Sequence, residues 1–222
     1  MLFRSGSATV KQPRILILGA GGHGKAVADL LLADGRFEIA GFLDAAPKAT
    51  QVLALPVLGD ESALAGLAGQ GIGCAHPAIG HNAARQAAAG RLRAAGFALP
   101  ALIHPAAIIG AGVKLADGVA VLARAVIGPD ARIGALALIN TGAIVEHDCV
   151  LEEAAHIGPG AVLAGGVRVG AGALIGAGAV IRPGVAIGAG AVVGAGAAVV
   201  EDVAPGATVM GVPARAVQAP EM

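Results

Sequence analysis

The chain has 222 residues, fifteen basic and fifteen acidic, so its formal net charge is zero. That balance offers no general positive field for nucleic acid, and with no Trp, no Tyr and four Phe it has few platforms on which single-stranded bases could stack. The high hydropathy comes from Ala, Val, Ile and Leu interrupted by 36 Gly, and no unbroken apolar run of about 18 residues predicts a membrane-spanning helix.

Residues 1–13 are polar and carry Arg4 and Lys11 without an apolar core, so they read as a frayed leader and not as a secretory signal. From Arg14 the sequence RILILGAGGHG predicts a strand over 15–18, a glycine-rich turn and a helix over 25–33, with Val27, Leu30 and Leu31 on one face. A second strand is expected over 38–44, ending at Asp44. Gly19, Gly21 and Gly24 satisfy the G-x-G-x-x-G spacing, which lets a phosphate approach backbone N–H groups at a helix N-terminus. Asp44 stands at about the spacing of a ribose-binding acid. Only about 85 residues separate this turn from the next domain, which suits a mononucleotide half-fold better than a full dinucleotide fold. The same turn could also serve packing alone.

Residues 53–60 read as a loop with a short strand, and 61–68 as a helix. The segment CAHPAIG over 74–80 has strand-like ends but holds Pro77, which a central strand would not readily accept. A helix over 83–96 carries the basic Arg85, Arg91 and Arg93 and ends at Gly96. His76, His81 and Cys74 do not bring a convincing metal set together by spacing, so no metal is expected.

From Ile103 to Val199 an aliphatic residue recurs every six positions, as in Ile139, Val145, Leu151 and Ile157. Four residues after each stands Ala, Val or Cys, as in Ala143, Cys149 and Ala155. A period of six would smear these residues around an α-helix. As a multiple of two it suits a short strand followed by a corner, and three hexads close a triangular coil. Aliphatic residues then fill the interior, small residues fit where the wall turns, and glycines relieve strain where φ is positive. Coils stack at roughly 4.8 Å. No long loop interrupts the series, so a site must use the coil walls or a neighbouring subunit. The chain is therefore divided into a leader over 1–13, an α/β domain over 14–101, a solenoid over 102–215 and a tail over 216–222. Cys74 and Cys149 fall in different domains, which argues against a disulfide and for a reducing, cytoplasmic compartment.

Three stretches, GAGGHG at 19–24, LIHPAA at 102–107 and NTGAIVEHD at 140–148 followed by His156, together with the closing GVPAR at 211–215, resemble the NeuD/PglD type of sugar acyltransferase within the hexapeptide-repeat superfamily. The resemblance implies a Rossmann-like βαβ domain followed by a left-handed parallel β-helix. It implies a homotrimer with acetyl-CoA in grooves between subunits, and N-acetylation of a nucleotide-linked 4-amino-4,6-dideoxyhexose such as GDP-perosamine or a UDP-linked sugar. It also implies that His147 is the general base with Asp148 raising its basicity, and that His156, Ala177 and Ala195 contact acetyl-CoA. By the same resemblance Gly21, Gly22, His23, Asp44 and Gly80 hold the nucleotide sugar. Pro77 and His81 depart from the family pattern beside that pocket. O-acetylation of a sugar hydroxyl with the same base, and a non-catalytic nucleotide-sensing scaffold, stay open as alternatives.

The chemistry is consistent with that assignment. An amine attacking a thioester must lose a proton, and a His titrating near 6.5 suits that task at neutral pH. A neighbouring carboxylate favours the imidazolium and so strengthens the base. His147 and Asp148 occupy hexad positions that do not fill the interior, so they can face a groove.

Overall fold

In a computed structural model residues 12–217 are described, so most of the expected leader and tail lies outside the described residues. The N-terminal unit begins with β1 (Arg14–Leu18), whose apolar RILIL run is almost wholly buried. Helix α1 (Gly22–Asp34) starts three residues earlier than the sequence pattern suggested and ends at Gly35, whose left-handed φ of 67° lets its N–H reach the carbonyl of Leu31. Strand β2 (Glu38–Leu43) follows, then a small antiparallel hairpin of β3 (Gln51–Val52) and β4 (Leu55–Pro56). A 3-10 turn, Glu61–Ala63, leads into α2 (Leu64–Ala68), then β5 (Cys74–Pro77) and α3 (Asn82–Ala94).

The three main strands form a parallel sheet in the order β2-β1-β5. This order resolves the question of Pro77. It is the last residue of an edge strand, paired with Leu18, where a missing N–H breaks no ladder interior. His81 is likewise accommodated: it caps α3, its Nδ1 accepting the N–H of Ala84 at 3.3 Å.

The repeat folds as expected into stacked coils of two-residue parallel strands. Each strand pairs with the strands eighteen residues away, as Ile144 does with Val126 and Val162. The coils present three faces. The outward residues of the first are Ile108, Val126, Ile144, Val162, Val180 and Ala198. Those of the second are Lys114, Arg132, Val150, Arg168 and Ala186, and those of the third begin Leu102, Ala120, Leu138 and His156. The inward residues from Val119 to Val209 form one continuous core. Truncating such a residue, for instance Ile157→Ala, costs about 2–5 kcal/mol. At the C-terminal end Thr208–Met210 joins the third face, and Arg215–Ala216 pairs antiparallel against it, covering that sheet edge.

Glycine plays two distinct parts in the coils. The left-handed backbone falls three residues after the aliphatic, as at Gly160 with φ of 65°, where an added Cβ would project into open space. The glycine directly after the aliphatic serves close packing instead: a Cβ at Gly158 would lie 2.6 Å from the carbonyl oxygen of Ile175 and 2.8 Å from the N of Ala177 in the next coil. Gly158→Ala should therefore destabilise more than Gly160→Ala, whose cost is that of the left-handed backbone alone, about 1 kcal/mol. Denaturant unfolding of the two variants checks the order, and equal losses would contradict it.

The solenoid's third face is the packing partner of the N-terminal sheet. Ile15, Ile17, Val27, Leu30 and Leu31 share a buried cluster with Leu102, Ala120 and Leu138. The opposite side of the sheet packs with Ala88, Ala89 and Leu92 of α3, and that cluster reaches the solenoid again at Leu136 and Ala154. Apolar contact on both sides of the sheet fixes the N-terminal unit against one side of the prism. Among the described residues no helix is long and apolar enough to cross a membrane.

Candidate active site

Three groups of residues emerge, at different places on the molecule. The first is a cavity of about 490 Å³ in the N-terminal unit, lined by Gly21, Gly22, Lys25, Asp44, Lys48 and Gln51 among others. The glycine-rich turn divides its labour. Gly19 has φ of 112°, and a Cβ at Gly24 would collide with the carbonyl of Gly19, so these two shape the turn. Nothing lies within 4 Å of a Cβ built on Gly21 or Gly22, so these two leave the helix N-terminus open to an anion. Asp44 holds the turn from below: one carboxylate oxygen accepts the N–H of Ala20 at 2.7 Å and the other that of Ala46 at 2.9 Å. The expected acid is thus a structural clamp as well as a wall of the cavity. Lys25 and Lys48 were not singled out from sequence, because only the fold brings the 48–51 segment over the turn.

The second group sits where the N-terminal unit meets the third face. His23, expected at the nucleotide sugar, is there with its Nε2 buried and without a hydrogen-bond partner. His76 is 1 % exposed and neither of its ring nitrogens has a partner. His156 lies on the third face, its Nε2 3.3 Å from Asn140 Nδ2, and the main chain of Gly80 is near enough to favour the protonated ring. Burial, and then the charge of Arg85, pull His156 down to about 4, against the opposing effect of Gly80. His23 is pulled to about 4 by burial first and by Arg85 and His156 next. His76 falls to about 3 through burial, His23 and Arg85. All three rings are therefore neutral at neutral pH. In this chain His156 adjoins Gly80 of the proposed sugar site, alongside the role toward acetyl-CoA that the resemblance implied.

The third group is the dyad. His147 and Asp148 form the corner between the first and second faces, with side chains 60 % and 67 % exposed. His147 Nδ1 lies 2.8 Å from Asp148 Oδ2. An ionised carboxylate can only accept, so Nδ1 carries the proton and Nε2 is left as the basic atom. That hydrogen bond is the main reason the His147 pKa stands above 6.5, with the charges of Asp148 and Glu146 adding to it. Asp148 has φ of 58°, at the corner position that most coils give to glycine. Asp tolerates this conformation better than most residues, so the carboxylate is kept beside the imidazole at a small backbone cost. The ring of His147 lies over Gly165 of the next coil: a Cβ there would come within 2.5 Å of Cε1 and Nε2. Gly165→Ala should displace the ring and lower kcat by about 10-fold or more while melting stays near that of the parent. Unchanged kcat would show that the ring is free to sit elsewhere.

Ala177 and Ala195 fall at yet another corner, between the third and first faces, stacked on adjacent coils. Within one chain the fold thus brings Gly80 and His156 together and leaves the dyad on a different edge of the prism from Ala177 and Ala195. Cys149 points inward, buried, its Sγ donating to the carbonyl of Ala164 at 3.3 Å. Burial raises its pKa, which disfavours the nucleophilic thiolate. His104 caps the first corner, its Nδ1 accepting the N–H of Ala106. Among the described residues no group of three or more His, Cys, Asp or Glu side chains could hold a metal ion.

Residues 14–92 match the PglD N-terminal domain, 124–152 the hexapeptide repeat of succinyl-transferase and 166–200 the bacterial transferase hexapeptide (six repeats). Among solved structures, a histidine-to-asparagine variant of perosamine N-acetyltransferase from Caulobacter crescentus, in complex with CoA and GDP-perosamine, is 44 % identical, with 95 % of this chain and 98 % of that chain covered and a TM-score of 0.90. The chain belongs to the PglD-type family of sugar acetyltransferases. The acetyltransferase domain of PglB from Neisseria gonorrhoeae FA1090, in complex with acetyl coenzyme A, is 38 % identical over 93 % of this chain and all of that one, with a TM-score of 0.89. WeeI from Acinetobacter baumannii AYE is 26 % identical over the same shares, with a TM-score of 0.74. No curated protein gives a significant sequence match.

Proposed function

We propose that the protein transfers the acetyl group of acetyl-CoA to the 4-amino group of a nucleotide-linked 4-amino-4,6-dideoxyhexose, with GDP-perosamine the first substrate to test. The observation that carries this reading is the His147–Asp148 pair, oriented with Nε2 free, in a chain 44 % identical to a protein whose structure holds CoA and GDP-perosamine. His147 Nε2 takes a proton from the amine as the nitrogen attacks the thioester carbonyl. The tetrahedral intermediate collapses, the C–S bond breaks, and the imidazolium returns the proton to the departing CoA sulfur. Amide and free thiol result, with no acyl-enzyme. The cavity at Gly21 and Gly22 holds the nucleotide, and Gly80 and His156 stand toward the sugar.

The acetyl-CoA site requires neighbouring copies. The first face exposes a column without a single charge, in which Ile108 is 63 % and Val180 49 % exposed. The second face carries Lys114, Arg132 and Arg168, and the third is covered by the N-terminal unit. Three copies packed by the first face around a common axis set the His147 corner of each against the Ala177 and Ala195 corner of the next. That arrangement completes a groove for acetyl-CoA and supports a homotrimer. The two free cysteines and the need for acetyl-CoA favour the cytoplasm.

The test is free-thiol release from acetyl-CoA with GDP-, UDP- and dTDP-linked 4-amino-6-deoxy sugars and with hydroxyl acceptors. Release with a 4-amino sugar supports the reading. Release only with hydroxyl acceptors, or no release at all, overturns it.

A further inference from the structure

Arg85 is a cation with 1 % exposure and no carboxylate partner among the described residues. Sequence placed it among the basic residues of an amphipathic helix, but its spacing to Ala88, Ala89 and Leu92 lies on the buried stripe. Its donors go to main-chain carbonyls on both sides of the domain junction. Nε donates to Leu136 O at 2.9 Å and Nη2 to Ala154 O at 2.9 Å, both in the solenoid. Nη1 donates to Ile79 O and Gly80 O, each at 3.1 Å, and Nη2 also to Asn82 Oδ1 at 2.9 Å. Asn82 in turn donates to Gly172 O at 2.8 Å and Ala173 O at 3.2 Å. A guanidinium has five N–H donors in a fixed fork, so no other side chain can tie these four carbonyls at once.

We propose that Arg85 is a positioning residue for acetyl transfer: it locks the Ile79–Gly80 turn of the nucleotide-binding unit onto the coil leading to His156, and so fixes where the sugar end of the substrate meets the solenoid. A simple stability device would not need to reach this turn. The bonds to Ile79 and Gly80 hold a segment of the proposed sugar site that lies beside His156, two residues beyond Ala154. This inference rests on the proposed reaction for its kinetic consequence but not for the lock itself.

The experiment uses the full chain as native protein and as Arg85→Lys, Arg85→Met and Asn82→Ala. Arg85→Lys keeps the charge and loses the fork, and Asn82→Ala loosens the same junction more gently should Arg85→Met fail to fold. With GDP-perosamine and acetyl-CoA, the lysine variant is expected to lose about 10- to 100-fold in kcat/KM for the nucleotide sugar, with the KM for acetyl-CoA changed less than about twofold. Amide hydrogen exchange should speed up at 79–82 and 154–157 and stay unchanged in the coils beyond 180. Folded variants that melt earlier but keep the native kinetic constants, or whose exchange is unaltered at the junction, would overturn the proposal. If the native protein itself turns over no nucleotide amino sugar, the proposed reaction fails, while the exchange result still decides whether the lock exists.

Discussion

Replacing His147 by Ala should lower kcat about 10²- to 10⁴-fold, the usual contribution of a positioned general base, while leaving the melting temperature close to that of the parent. The reason for the separation is structural. The side chain is largely exposed and its ring rests on a glycine, so its removal empties no core. Asp148→Asn is the sharper companion. Asn also tolerates the left-handed conformation at this corner, so the backbone is preserved while the carboxylate that raises the His147 pKa is lost. The base must be neutral to act, so kcat/KM climbs with pH through the His147 pKa. Removing Asp148 lowers that pKa, and the acid limb of the profile should move to lower pH while the plateau falls. A profile that keeps its acid limb in place would show that the 2.8 Å contact does not set the basicity of His147.

The second large effect is acid lability. His23, His76 and His156 are held neutral in the folded state at about 4, 3 and 4, against 6.5. A group whose folded pKa is depressed contributes stability that is fully present above its unfolded pKa. For these rings the loss begins as pH falls through 6.5 and is complete near 3 to 4. At pH ~5 each ring taken alone forgoes about 2 kcal/mol, and the combined loss is comparable with the whole stability of many domains. Chemical denaturation at pH 7.5 and at pH 5 should show a much lower midpoint in acid. His76→Leu should flatten this dependence and be neutral or stabilising at pH 7.5. His76 lies in strand β5 beside the apolar Ile17, its nitrogens are unpartnered, and an unsatisfied buried polar group costs more than an apolar one of similar volume. Equal midpoints at the two pH values would mean that the cluster admits water or rearranges to accept protons.

The solenoid was legible because its information is local and periodic: an inward aliphatic every six residues dictates a coil wall whatever the rest of the chain does. The corner placement of His147 and Asp148 was legible for the same reason, since the repeat keeps both out of the interior before any long-range contact is known, whereas their roles came from the resemblance alone. Pro77 was not, because whether a strand is central or at an edge depends on sheet order, which no segment encodes alone. Arg85 was missed by letting its charge outweigh its position, although the stripe shared with Ala88, Ala89 and Leu92 was visible. The contact of His156 with Gly80 and the neutral cluster with His23 and His76 join residues more than fifty positions apart, and only the docking of the sheet on the third face brings them together. Likewise, the repeat indicated glycines at corners but not that Gly158 and Gly160 answer to different demands, one to the coil above and one to its own φ.

Mass spectrometry of GDP-perosamine after incubation with acetyl-CoA and either the native protein or His147→Ala tests the central claim most directly. The account predicts that the native protein adds one acetyl group, located on the 4-amino nitrogen by fragmentation, and that the variant leaves nearly all of the sugar unmodified over the same time. An acetyl group on a hydroxyl, or equal conversion by the two proteins, would contradict it.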